Sequence, residues 1–304
     1  MDRPTEERIL THWTLGIIGG SGLYEFEGLM DRRWVKVDSP WGEPSDELLF
    51  GVVEETRLVF LPRHGRGHRL PPSAINSRAN IDVLKRAGCT DILSVSAVGS
   101  LQEELAPGMF ATVGQYVDRT ENRARSFFDA GFVAHVSMAD PVCPRLSSYA
   151  KDAARQVGLR LIESVTYLAM EGPQFSTRAE SRLYRSWACD VIGMTAMPEA
   201  RLAREAELPY ANLCMITDYD CWREDSAEVD VASILAVMRA NVGGAQRLIV
   251  ELAKRLRNPR APSPIDSCLD SVVISDPSVW DTNLLSKLDA ICGRRLKKAS
   301  EPAS

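Results

Sequence analysis

Thr217-Asp218-Tyr219-Asp220-Cys221-Trp222 sets two carboxylates two residues apart, directly after the apolar run from Tyr210 to Thr217. In an extended segment such residues point the same way, about 7 Å apart, so Asp218 and Asp220 are expected to face one pocket. Neighbouring carboxylates resist joint ionisation, which raises one pKa until that group can give up a proton near neutrality. A pair of solvated loop carboxylates has the same composition. A second cluster carries the opposite charge: Pro62-Arg63-His64-Gly65-Arg66-Gly67-His68 gathers two arginines and two histidines beside glycines. An arginine fork matches phosphate oxygens and a histidine can donate to the same oxyanion, although a surface ion-pair patch would also look like this.

Hydroxyls and glycines recur at three further places. Gly19-Gly20-Ser21-Gly22 offers exposed N–H groups and a hydroxyl, enough for a phosphate-sized nest or for a bare turn. A dinucleotide fingerprint is excluded there, because GxGxxG needs glycine where Glu25 stands. Ser94-Val95-Ser96-Ala97-Val98-Gly99-Ser100 and Gly193-Met194-Thr195-Ala196-Met197-Pro198-Glu199 each end an apolar run with a hydroxyl and a glycine. The carboxyl edge of a sheet is where ligands bind, so the strand ends at Gly19 to Gly22, Arg63 to His68 and Ser94 to Ser100 are expected to converge on one anion, with Thr195 a further hydroxyl at the same edge. In Met170-Glu171-Gly172-Pro173-Gln174-Phe175-Ser176-Thr177, Glu171 is a candidate acceptor for sugar hydroxyls and Phe175 a ring to stack on a base. Thr177 and Glu180 have the spacing of a capping box. On general grounds Met194 and Met197 read as core filler.

The elements that must hold these residues follow from periodicity. Leu15 to Ile18, Leu58 to Leu61, Asp91 to Val98, Phe110 to Val117, Asp190 to Met194 and Tyr210 to Thr217 are predicted strands. Helical spacing runs from Ile75 to Ala87, where Gly88 suits a left-handed cap, and again over Arg145 to Val157, Thr177 to Ala188, Pro198 to Glu207 and Val231 to Leu256. Alternation of this kind implies an α/β domain around a mostly parallel sheet. Asn258-Pro259-Arg260-Ala261-Pro262-Ser263-Pro264 then breaks any helix and reads as a linker, before one more helical pattern from Ser278 to Arg295.

Composition narrows the function classes. With 36 basic against 41 acidic side chains the net charge is −5, which argues against a nucleic-acid binder. At 45% hydrophobic and 25% charged residues the chain can bury a core and is not disordered. It has no apolar run of membrane-spanning length, and Met1 to His12 is too polar for a secretory signal, so a cytoplasmic location is expected. Seven cysteines without a CxxC pair and four histidines without HExxH argue against a metal site.

Taken together, Ile17-Ile18-Gly19-Gly20-Ser21-Gly22-Leu23, Arg63-His64-Gly65, Ser96-Ala97-Val98-Gly99-Ser100-Leu101, Glu171-Gly172-Pro173-Gln174-Phe175-Ser176, Met194-Thr195 with Pro198-Glu199, and the Asp218 motif resemble the trimeric purine nucleoside phosphorylase family, in its methylthioadenosine-cleaving branch. The likeness covers roughly residues 14–256, leaving 1–13 as an N-terminal extension and 257–304 as a proline-containing linker and helical tail. It implies a single domain with a central mixed, mostly parallel sheet flanked by helices. It also implies phosphorolysis of S-methyl-5'-thioadenosine to adenine and 5-methylthioribose 1-phosphate, with orthophosphate as co-substrate and no metal or organic cofactor. Ser21, Arg63, His64, Ser96 and Thr195 resemble the family's phosphate site. Ala97 lies near the nucleoside by the same likeness, Met194 against the ribose and Phe175 beside the purine, while Asp218 and Asp220 resemble the base-recognition pair that suits a 6-amino purine. His135 resembles a residue lent by a neighbouring subunit to the methylthio pocket, which Val229 and Val231 would line. The expected assembly is a homotrimer or a dimer of trimers. Alternatives are a purine nucleoside or methylthioinosine phosphorylase and, of another class, a non-catalytic nucleotide-binding module.

Overall fold

A computed structural model describes residues 12–20, 22–223, 231–256 and 259–300. Its strands are β1 (Thr14–Gly19), β2 (Met30–Val35), β3 (Leu48–Val53), β4 (Thr56–Pro62), β5 (Asp91–Ser100), β6 (Phe110–Arg119), β7 (Leu161–Met170), β8 (Val191–Gly193) and β9 (Tyr210–Asp218). The helices are α1 (Ser77–Arg86), α2 (Pro144–Gln156), α3 (Arg178–Ser186), α4 (Ala196–Glu205), α5 (Val231–Arg255), α6 (Thr282–Lys287) and α7 (Asp289–Ser300). Among the described residues no helix is long and apolar enough to cross a membrane.

All nine strands join one sheet in the order β2-β3-β4-β1-β5-β8-β7-β6-β9, and β9 also pairs with β5. That extra pairing closes β5, β8, β7, β6 and β9 into a ring. β1 runs parallel to β4 and β5, as do β5 with β9 and β7 with β6 and β8, whereas β2–β3, β3–β4, β5–β8 and β6–β9 are antiparallel. The sheet is therefore mixed, as the family likeness implied. β5 is buried along its length except at Ala97, as expected of a strand covered on both faces.

Local chemistry fixes the helix ends. The Asn76 side chain accepts the Ala79 N–H at 3.1 Å to start α1, and Gly88 at φ +80° follows its end in the left-handed region glycine favours. The capping box opens α3, with Thr177 Oγ1 accepting the Glu180 N–H and Glu180 Oε2 accepting the Thr177 N–H at 2.7 Å. Successive residues of β1 feed opposite faces: Ile17 packs in the layer with Phe60, Leu248 and Leu252, and Ile18 in the layer with Val59, Leu84 and Leu202.

The segment after Pro259 lies on this body. Arg260 is buried against Asp91 and Asp266, Arg294 pairs with Glu207, and Leu288 and Ile291 enter the Ile18 layer. Residues 272–275 run beside 133–135: the His135 N–H donates to Val272 O, the Ile274 N–H to Val133 O and the Val133 N–H to Ser275 Oγ.

Candidate active site

A cavity of about 270 Å³ opens where β4, β5, β8 and β9 end. Arg63, His64, Ser96, Ala97, Phe175, Met194, Thr195, Asp218 and Asp220 all line it, so the strand ends do converge. Ser21 and Val229 lie outside the described residues, and Val231 falls in the first turn of α5, where its side chain is not described. His135 is exposed and does not line the cavity of its own chain.

Arg63 follows β4 and is 2% exposed, so it is no part of a surface ion-pair patch, whereas Arg66 does pair with Asp46 and Glu47 at the surface. Its Nε and Nη2 donate to Glu199 at 2.9 and 3.1 Å, Nη2 also reaches Ile18 O and Ser94 Oγ, and Nη1 donates to Val95 O at 2.9 Å. Among the described residues nothing accepts the second Nη1 hydrogen. Burial works against the guanidinium charge, and the Glu199 carboxylate more than restores it. Glu199 itself accepts from Ser94 Oγ and from Tyr210 Oη, both at 2.8 Å. Sequence reasoning gave Glu199 no role; its place in Pro198-Glu199, after a strand end, was the available signal.

His64 corrects one expectation. Its Nδ1 stands 2.9 Å from the Leu70 carbonyl, which can only accept, so Nδ1 carries the hydrogen. Burial pushes the imidazole pKa down to about 4, and His64 is neutral at pH 7. Nε2 is then a lone-pair acceptor, suited to a P–OH group rather than to donating toward an oxyanion. The ring stacks on His68 at 4.2 Å. Ser96 Oγ and Thr195 Oγ1, from two different strand ends, stand 3.5 Å apart.

The carboxylate pair is also built differently from the extended arrangement. Asp220 has φ +51°, so the chain turns there, and its N–H donates to Asp218 Oδ1 at 2.8 Å. Both groups still face the cavity. Burial raises both pKa values; the Asp218 charge adds to the rise at Asp220 but is not its main cause. Thr217 Oγ1 lies 2.8 Å from Asp218 Oδ2 and 3.1 Å from the Val98 carbonyl. That hydroxyl has one hydrogen to donate, to Asp218 Oδ2 or to the Val98 carbonyl. Asp220 is 5% exposed and its Oδ2 makes no hydrogen bond among the described residues, although the Ser176 and Ser181 hydroxyls lie close enough to pull its pKa down. A buried acceptor without a partner calls for a donor from a ligand.

Along β5, Ser94 bonds to Arg63, while a Cβ on Gly99 would stand 2.8 Å from Asp218 Oδ1. Ser96 and Gly99 are three residue steps apart, about 10 Å of strand, which is room for a ribosyl purine between oxyanion and carboxylates. Phe175 lines the gap with 45% of its surface exposed, and Ile234 and Met238 add an apolar wall from α5 that sequence reasoning missed. Gly193 is required by Tyr167, whose Oη would lie 2.0 Å from any Cβ there. Glu171 is withdrawn as a sugar ligand: its Oε2 accepts from Arg123 Nε at 2.9 Å and from the Glu121 N–H at 2.8 Å, and it does not line the cavity.

Residues 14–254 match the family model of the phosphorylase superfamily. The S-methyl-5'-thioadenosine phosphorylase of Cereibacter sphaeroides is 53% identical over 285 residues, covering 93% of this chain and 98% of that protein. The protein of that name from Bradyrhizobium diazoefficiens is 52% identical over 290 residues, covering 95% and 100%. Among solved structures, a methylthioadenosine phosphorylase from an antarctic soil metagenomic library superposes with a TM-score of 0.88 at 40% identity, covering 92% of this chain and 99% of that one. A mutant of the adenosine/methylthioadenosine phosphorylase of Schistosoma mansoni, in complex with methylthioadenosine, gives 0.74 at 36% identity over 80% and 91%.

Proposed function

Since the chain belongs to the phosphorylase superfamily, we propose from that premise that it cleaves S-methyl-5'-thioadenosine with orthophosphate, releasing adenine and 5-methylthioribose 1-phosphate. The observation that carries this reading is a cavity in which a buried arginine and a buried carboxylate, each with one N–H or oxygen unclaimed among the described residues, share a wall of hydroxyl and apolar side chains. Phosphate is met by Arg63 Nη1, by the Ser96 and Thr195 hydroxyls and by His64 Nε2, which takes a P–OH. Ser21 joins them by the family likeness. Phe175 and Met194 flank the purine and ribose, with Ala97 alongside.

Breaking the C1'–N9 bond leaves positive charge on the ribose and negative charge on adenine. Phosphate stabilises the first and then attacks C1'. Asp218, whose burial favours the protonated form, donates to N7 and relieves the second, help of a kind worth about 10²–10⁴ in rate. Asp220 Oδ2 accepts from the exocyclic amine, a contact that a 6-oxo purine cannot give. Ile234 and Met238 offer the methylthio group an apolar slot, and Val229 and Val231 are assigned to it by the family likeness alone. By the family likeness His135 reaches the same slot from a neighbouring copy, in a homotrimer or a dimer of trimers, and the place of work is the cytoplasm. The reaction uses orthophosphate as co-substrate and no further cofactor.

Phosphate-dependent cleavage compared across methylthioadenosine, adenosine, methylthioinosine and inosine tests this directly. Methylthioadenosine is expected to be turned over fastest. Cleavage without phosphate, or preference for a 6-oxo purine, refutes the reading.

A further inference from the structure

Arg123 belongs to none of the motifs above and sits in the polar stretch Asp118-Arg119-Thr120-Glu121-Asn122-Arg123 at the end of β6. Its side chain is nevertheless only 7% exposed. Nε donates to Glu171 Oε2 at 2.9 Å, Nη2 to the Glu171 carbonyl at 2.6 Å, and Nη1 to the carbonyls of Met194 at 2.7 Å and Met197 at 3.0 Å. One buried cation thus spans two loops: the one after β7, which leads to Phe175, and the one between β8 and α4, which carries Met194 and Thr195.

The second loop lacks a donor of its own at one key place. A helix would answer the Met194 carbonyl with the N–H of residue 198, but that residue is Pro198 and has none. Met197 has φ −117° and ψ 136°, outside helical values, so α4 is broken where it meets the cavity. Arg123 supplies the missing donors. The two loops also touch directly, because a Cβ on Gly172 would stand 2.4 Å from Met194 Sδ, so the thioether lies on bare glycine backbone. The Glu121 N–H, donating to Glu171 Oε2 at 2.8 Å, fastens the arginine's own segment to the same carboxylate.

We propose that Arg123, gripping Glu171 and the Met194 and Met197 carbonyls, is a positioning residue for phosphorolysis, holding Met194 and Thr195 in register with the loop that leads to Phe175. It touches neither substrate. This role rests on the functional reading above and adds to it that ribose and phosphate contacts are set from behind by one ion pair. A displacement of about 1 Å at such contacts costs about 10²-fold in rate, which is the scale of effect expected.

The test is steady-state phosphorolysis of methylthioadenosine by the parent protein and by Arg123→Ala, Arg123→Lys and Glu171→Gln, each with its thermal melting curve. The parent's own phosphate-dependent turnover tests the functional reading, so failure of that reading is seen separately. For Arg123→Ala we expect kcat/KM to fall about 10²-fold, with KM raised for phosphate and nucleoside together, and partial recovery on adding millimolar guanidinium. Glu171→Gln keeps an oxygen for Nε but removes the counter-charge of the ion pair, so it should shift both KM values in the same direction as Arg123→Ala and by less. If Arg123→Ala does not fold, Arg123→Lys decides, since one ammonium cannot bridge four acceptors and should also raise both KM values. Parent-like kinetic constants in a variant whose melting point alone has dropped, or no response to guanidinium, would reduce Arg123 to a structural residue and overturn the proposal.

Discussion

Glu199→Gln separates the two duties of the buried Arg63 pair. Both side chains are 3% exposed, and the carboxylate accepts from Arg63 Nε, Arg63 Nη2, Ser94 Oγ and Tyr210 Oη. The amide keeps the shape, and its oxygen still meets Nε, but the guanidinium is left charged, buried and without a counter-ion. Removing one partner of such a pair costs about 3–5 kcal/mol. At about 2 °C per kcal/mol for a chain of this size, melting should fall by about 6–10 °C. The same loss has the opposite sign for the ligand: with Glu199 neutral, the anion is the only counter-charge left to Arg63. Phosphate at a hundred times its Kd contributes about 2.7 kcal/mol through mass action alone. Because phosphate binds the variant more tightly, a fixed phosphate concentration should raise its melting point more than the parent's. Scanning calorimetry with and without phosphate reads both effects. An unchanged melting point, or the same phosphate-induced rise in both proteins, would refute this account of how Arg63 is held.

Asp218→Asn should lower kcat on methylthioadenosine by about 10²–10⁴, and turnover within a few-fold of the parent would remove Asp218 as the acid. Because burial raises the Asp218 pKa, the active protonated form is lost as pH climbs, so the parent's rate should carry a falling alkaline limb that the asparagine variant lacks in a pH–kcat profile. Glu205 is a separate pH-sensitive group: burial pushes its pKa up to about 7 while its carboxylate accepts from Ser126 Oγ and the Phe127 N–H. The folded state therefore binds this proton more tightly than the unfolded chain. Stability should fall by about 2–4 kcal/mol as pH rises from about 4.5 through about 7, and melting curves of Glu205→Gln should lack that slope.

Much of this architecture is written in local pattern, and the exceptions have physical causes. β1, β4, β5, β6, β8 and β9 carry apolar or β-branched runs because they are buried, whereas β2, Met30-Asp31-Arg32-Arg33-Trp34-Val35, is an edge strand with five of six residues exposed and no periodicity to detect. β7 carries exposed Glu163 and Ser164 at its third and fourth positions, which interrupt the apolar run ahead of its buried second half. At the site, residue types announced the oxyanion and carboxylate clusters, since arginine beside glycine and paired aspartates are conspicuous in any context. Their geometry was not legible. The left-handed turn at Asp220, the tautomer of His64 and the withdrawal of Glu171 each depend on a partner 2 to 50 positions away. Arg123 looked like one more charge in a polar stretch, because nothing local reveals that it is buried.

The stitching of residues 272–275 to 133–135, and of Arg260 to Asp91, bears on how short this protein can be made. Asp91 is the first residue of β5, the strand that carries Ser96 and Ala97, and beside Arg260 it has Arg145 as its other cation. A chain trimmed to the stretch shared with the superfamily would leave that carboxylate half-neutralised beneath the strand, and would strip His135 of the backbone rung beside it. Cutting the chain at the end of the shared stretch should therefore loosen the start of β5 and with it the strand that carries the site.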